Sequence, residues 1–185
     1  MHSDLLFIPY HFFEKHYTKS DFTYTNRTSS LTIQLIKNEK VSINYIEDWQ
    51  KITSGLIIHS SSYRPVGSNL DMLILKNGTF KIDDNYRELY LVSNTKKGIV
   101  LIVGSAVTGL ENIIKDVIRL YKKPIYGILG NFTIDQEELK NTAIQQKLIA
   151  YGLKVIGCNL NDNQEKINVG DTIISNIAVG DEFFF

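Results

Sequence analysis

The sequence predicts an α+β or mixed α/β protein, and three observations carry that prediction. Short alternating apolar runs fill the first half of the chain. From residue 98 onward the pattern changes to strand, glycine turn, amphipathic helix and strand again. The length, 185 residues, suits one ordinary domain with a sizeable core. No repeat, low-complexity tract or Pro/Gly/Ser-rich linker divides it, so residues 1–185 are expected to form a single domain.

The first segment, residues 10–19, is aromatic and is expected to be helical. LTIQLI (31–36), VSINYI (41–46), GLIIHS (55–60) and LDMLILK (70–76) follow as expected strands. Asn38-Glu39-Lys40 suggests a hairpin between the first two. Asn77-Gly78 signals a second, because this pair readily supplies the two positive φ angles of a type I′ turn. ELYLVS (88–93) and GIVLIVG (98–104) are the next strands. After Leu110 the apolar positions Ile113, Ile114, Val117, Ile118 and Tyr121 form a 3.6-residue stripe. Thr108, three residues before Glu111, predicts a capping box at the start of that helix. IYGILG (125–130) is a strand, and Asp135 with Glu138 is expected to cap a second helix. That helix carries Leu139, Ala143 and Leu148 inward and stops near Gly152. LKVIGC (153–158) and DTIIS (171–175) complete the strands.

The charge balance excludes whole function classes. Twenty basic residues meet twenty acidic ones, and the longest basic cluster is Lys122-Lys123, so no global field draws nucleic acid or anionic lipid. Cys158 is the only cysteine, which rules out an intrachain disulfide and fits a reducing compartment. The start, MHSDLLFIPYHFF, has no cationic n-region, and no segment approaches the ~20 apolar residues of a spanning helix. A cytoplasmic protein is expected.

Three glycine-bearing stretches end successive strands of the second half, at 104–109, 130–133 and 157–162. Strand C-terminal ends in a parallel sheet gather on one edge, where ligands bind in such folds. One cleft is therefore expected there, with Gly104, Ser105, Val107, Gly109, Asn131, Thr133, Cys158, Asn159 and Asp162 as lining candidates, and His59 beside them. The turn 104–109 has the glycine spacing of a phosphate loop, but Leu110-Glu111 stands where Lys and Ser/Thr would be needed. Its helix N-terminus could still attract an anion through unpaired N–H groups, although close strand-to-helix packing explains the glycines more simply. His11 and His16 are five residues apart and do not share a helical face for a metal. His59 runs into Ser60-Ser61-Ser62 without a GxSxG elbow, which favours a structural histidine. Cys158 has no neighbouring sign of activation.

At these stretches the chain resembles the metallo-β-lactamase superfamily, in particular the branch near the dihydropterin-ribofuranosyl-aminobenzene-phosphate synthase proteins. Members read GCSHxGxxNII, then GGFHL, then HCTG at three strand ends. Here GSAVTGLENII (104–114), GNFTI (130–134) and CNLND (158–162) stand in those places. Residues 88–100, the ending NVGDTIIS (168–175) and FIPYHFFEKHY (7–17) also resemble family segments. Carried over residue by residue, the three family histidines fall on Val107, Thr133 and Asn159, and the family cysteine on Ser105. The N-terminal HxHxDH loop has no counterpart. The resemblance implies a partial αββα sandwich lacking its first strands, with the metal ligands lost. Valine offers no lone pair, Thr and Asn oxygens are weak partners for such a metal, and without the metal no water is activated.

Two functions follow from different classes. The first is a non-catalytic member of the fold in a binding, regulatory or assembly role, with no metal or cofactor. A homodimer or a partner protein is expected to cover the incomplete sheet, and a small-molecule ligand is compatible with the cleft. The second is a hydrolase with a rebuilt site acting on a phosphoester or ester, using His59 with Ser105 or Cys158, or Asp162 with Asn159. A split enzyme completed by another chain is disfavoured, because any supplied half would still meet Val107, Thr133 and Asn159.

Overall fold

Alternation in the second half of the chain becomes one large sheet in the computed structural model. The structure describes residues 5–31, 33–39, 41–61, 72–83, 86–134, 141–160, 166–178 and 180–185. The N-terminal elements are β1 (Leu5–Pro9), β2 (His16–Ser20), β3 (Thr23–Asn26), α1 (Ile33–Asn38), β4 (Ser42–Ile46), β5 (Trp49–Lys51) and β6 (Leu56–Ser60). β7 (Met72–Lys76), β8 (Thr79–Ile82), β9 (Leu89–Asn94), β10 (Ile99–Val103) and α2 (Leu110–Tyr121) follow. β11 (Ile125–Ile134), α3 (Thr142–Ala150), β12 (Val155–Leu160), β13 (Lys166–Val169) and β14 (Thr172–Asn176) complete the described elements.

Eight strands pair in the order β13-β14-β12-β11-β10-β9-β6-β5. The run β10, β11, β12 and β14 is parallel, so its C-terminal ends share one edge, as expected. β9, β6 and β5 extend it antiparallel on one side, and β13 does so on the other. A four-stranded antiparallel sheet, β3-β2-β7-β8, and a parallel pair, β1-β4, make up the rest. The mixed α+β class holds.

The core lies between the large sheet and its helices. Ile99, Leu101 and Val103 of β10 pack with Ile113, Ile114 and Val117 of α2, and Leu101 and Val117 are fully buried. Each such side chain contributes about 1.5–3 kcal/mol through burial, so the predicted stripe on α2 is the face that fixes it. On the opposite face, Gly127 and Gly157 lie under a C-terminal tail. A Cβ at Gly157 would come within 2.6 Å of Ile177 and 3.3 Å of Phe183, and one at Gly127 within 3.1 Å of Phe185. These glycines therefore make room for the aromatic tail.

The Asn77-Gly78 hairpin forms between β7 and β8 with φ of 51° and 75°, which is the turn chemistry expected of the pair. Several other expectations are corrected. Residues 10–13 form a turn and 16–20 a strand, where a helix was expected, because β2 is held on both sides by β3 and β7. The expected strand at 31–36 is largely α1, whose Ile36 alone of its six residues is buried. No hairpin joins it to β4, which pairs in parallel with β1 instead. The stretches 130–133 and 157–160 are strand, and β11 runs through to Ile134 with a register shift between Leu129 and Thr133. Asp135, Glu138 and Leu139 lie outside the described residues, while α3 ends ahead of Gly152, whose φ is 75°.

Candidate functional site

The turn that follows β10 is filled by a carboxylate from a neighbouring strand. Glu88 immediately precedes β9, and β9 pairs antiparallel with β10 so that Tyr90 faces Val103. Its carboxylate therefore meets the turn just beyond Val103. The backbone N–H of Val107 donates to Glu88 Oε1 at 3.2 Å, and that of Thr108 to Oε2 at 3.0 Å. The Thr108 hydroxyl donates to the same Oε2 at 3.0 Å. The turn just ahead of this helix, where an anion was weighed as possible, holds the Glu88 carboxylate on two of its N–H groups.

This arrangement also corrects the capping box. The N-cap of α2 is Gly109, with φ of 91° and no side-chain cap. Thr108 is turned to Glu88, and Glu111 faces Lys115, Lys147 and Tyr151 instead. Hydrogen bonds from the two lysines hold the Glu111 carboxyl below its usual range.

Between this turn and the N-terminal segments lies a cleft of about 300 Å³. Gly104, Ser105 and Glu88 form one wall, Phe7, Pro9 and Phe12 an apolar one, and Arg27, Arg87, Tyr86, His11 and His16 supply polar groups. His16 is buried, with Nε2 3.0 Å from the His11 carbonyl oxygen and Nδ1 2.9 Å from Asp83 Oδ2. Asp83 is thus the acidic partner of the buried ring. Burial lowers the His16 pKa, but Asp83, the His11 carbonyl and Glu14 together outweigh it, and the net shift is upward. Burial, aided by the charges of Glu88 and Asp83, pushes Tyr86 up to about 12, so it remains a neutral phenol.

The other expected site residues divide among different places. Thr133 pairs in register with Asn159 across β11 and β12, and Asn159 Nδ2 donates to Asn131 Oδ1 at 2.6 Å. Ser105 and Thr133 also line a second cavity of about 480 Å³ against α2 and α3. Cys158 is fully buried in the core, and burial raises its thiol to about 11. His59 stacks on Tyr90 at 5.4 Å, and its Nε2 lies 2.6 Å from the Tyr121 hydroxyl. It lines a separate groove with Trp49, Asp116 and Arg119, and burial lowers its pKa. Asp162 lies outside the described residues.

The sequence reading missed Glu88, Arg27, Arg87, Tyr86 and the His16–Asp83 pair. Glu88 carried no signal, because its partners lie 19 and 20 residues away in the chain. His16 and His11 were weighed only as helix neighbours, whereas the strand geometry of β2 puts the imidazole against the His11 carbonyl.

Members of the family that the sequence resembles hold a divalent metal, and the described residues of this chain do not fit one. Among the described residues no group of three or more His, Cys, Asp or Glu is placed to hold a metal. Val107 has no donor side chain, and Asn159 and Asn131 are bonded to each other.

No protein-family model matches this chain, and no curated protein matches its sequence. A solved structure of a metal-dependent hydrolase of the β-lactamase superfamily is similar to it, with 18% identity and a TM-score of 0.61. The match covers 85% of this chain and 60% of that one, so the chain spans about 60% of the length of its structural neighbour. At this identity the likeness shows the fold alone, one shared with that hydrolase. Among the described residues no helix is long and apolar enough to cross a membrane.

Proposed function

We propose that this chain is a non-catalytic protein of the metallo-β-lactamase fold, whose strand-end cleft binds a ligand without hydrolysing it. One observation carries the reading: the turn that would present a metal ligand carries Val107, and its N–H groups are committed to Glu88. A site built to stabilise charge that develops during a reaction needs uncommitted donors. Here the Glu88 side chain takes those of Val107 and Thr108. Within the superfamily, the GSAVTGLENII, GNFTI and CNLND stretches support descent near the dihydropterin-ribofuranosyl-aminobenzene-phosphate synthase branch, as a partial sandwich. The lone thiol supports a cytoplasmic location.

The alternative, a rebuilt hydrolase, draws little from the geometry. His59 is engaged by Tyr121 and lines a groove apart from Ser105, and Cys158 is buried with a raised pKa. Elemental analysis with turnover assays on phosphoester and ester substrates, with and without added zinc or manganese, tests the reading. The expected result is less than stoichiometric metal and no turnover. Tightly bound stoichiometric metal, or turnover abolished by His59→Ala, would overturn it.

We further propose that a second copy of the chain covers the part of the sheet face opposite α2 that the C-terminal tail leaves open, where Ile102 and Ile173 are 39% and 38% exposed. Light scattering at micromolar concentration should show a dimer, and a strict monomer would reject it.

A further inference from the structure

The cleft contains a charge pattern that the proposed binding role leaves unassigned. Three arginines are described: Arg27, Arg87 and Arg119. Arg119 is paired with Asp116. The other two both line the strand-end cleft, and neither takes part in an ion pair among the described residues. Their existing bonds are slight. Arg27 Nε donates to Thr18 Oγ1 at 3.2 Å, which steadies the side chain and, among the described residues, leaves both terminal nitrogens unused. Arg87 Nη1 reaches the Tyr86 carbonyl oxygen only at 3.5 Å, the outer limit of a hydrogen bond.

The acidic groups nearby have other contacts. Both Glu88 oxygens accept bonds from the turn, His16 faces Asp83, and His11 is 2.8 Å from Glu14. Two guanidinium forks therefore line one cavity with Glu88, whose oxygens are bonded to the turn, and among the described residues neither fork is paired with a carboxylate. Guanidinium geometry suits the bidentate recognition of carboxylate and phosphate oxygens. The remaining wall, Phe7, Pro9 and Phe12, is apolar and sized for a small ring or chain.

We infer that the cleft is a binding site for a small organic oxyanion, a carboxylate or phosphate on an apolar body, held by Arg27 and Arg87. The anionic end lies between the two guanidinium groups, and the apolar body rests against Phe7 and Phe12. Tyr86, a neutral phenol beside them, is a further donor. The inference rests on the binding role proposed above and specifies the class of ligand.

Calorimetric titration with phenyl phosphate, benzoate, inorganic phosphate and phenol tests it. Phenyl phosphate or benzoate should bind the wild-type chain at least tenfold more tightly than phenol. The stronger of the two identifies the preferred oxyanion, and inorganic phosphate should bind more weakly than either. Arg27→Gln and Arg87→Gln should each weaken binding at least tenfold. Arg119→Gln, outside this cleft, should leave it unchanged. Phenol binding as tightly as phenyl phosphate, no binding by any probe, or binding indifferent to both cleft substitutions would overturn the inference. If either Gln variant misfolds by circular dichroism, the phenol comparison on the wild-type chain decides alone. The two readings fail separately. Bound phenyl phosphate that is also hydrolysed would keep the oxyanion site and reject the non-catalytic role. Absence of both binding and turnover would do the reverse.

Discussion

The carboxylate of Glu88 closes the turn that contains Thr108, accepting its backbone N–H and its hydroxyl on a single oxygen, each at 3.0 Å. With the Val107 N–H on the other oxygen, one side chain ties the end of β10 and the start of α2 to the strand beside them. The N–H groups it satisfies belong to the two residues just ahead of the N-cap Gly109, so the clamp holds the turn that leads into the helix.

Glu88→Ala should therefore destabilise the fold by about 1–3 kcal/mol, since it leaves partly buried donors without their acceptor. Glu88→Gln, which keeps an oxygen, should cost less. Urea unfolding followed by far-UV circular dichroism measures both. Equal stability of wild-type and Ala chains would mean that the clamp contributes nothing.

Stability should peak near pH 6.5, because two buried histidines are shifted in opposite directions from that value. His16, facing Asp83, Glu14 and Tyr86, has a raised pKa. Its contribution is complete below 6.5 and is lost as pH rises through the folded value. His59, facing Tyr90, Tyr121 and Asp116, has a lowered pKa. Its contribution is complete above 6.5 and is lost as pH falls toward the folded value. Urea midpoints measured across pH 5–8.5 should show both slopes. Asp83→Asn should flatten the alkaline one and His59→Gln the acid one. A profile that His59→Gln leaves unaltered would refute the second assignment.

Cys158 should resist thiol reagents in the folded chain, being fully buried with its pKa raised to about 11. Ellman's reagent at pH 8 should detect no rapidly reacting thiol natively and one per chain in guanidinium. A fast native reaction would reopen Cys158 as a nucleophile.

Leu101→Ala should cost about 2–5 kcal/mol, because the side chain is fully buried against α2 and its removal leaves a cavity. Ile102→Ala, on the 39% exposed neighbour facing the other way, should cost much less in dilute protein. Similar losses at both positions would contradict the assignment of the two faces.

The local pattern was most legible where one short segment carried the whole signal. The stripe on α2, the Asn77-Gly78 hairpin and the parallel run from β10 to β14 are all written in adjacent residues. The errors fell where partners were distant. LTIQLI reads as a strand by alternation, yet β1 takes the parallel place beside β4 and leaves residues 33–38 to coil into a helix. HFFEKHY reads as a helix by its aromatics, yet β3 and β7 pull residues 16–20 into a sheet.

The same division runs through the site. Residue identity alone leaves the turn after β10 without an ionisable side chain and, through the resemblance, puts Val107, Thr133 and Asn159 where family histidines would stand. Those are statements of residue identity at short spacing. That Glu88 fills the turn, that Asp83 meets His16, and that Arg27 and Arg87 share a cleft are facts of the folded chain. Such contacts join strands that periodicity cannot align, because a side chain's partner across a sheet is set by register and not by chain distance.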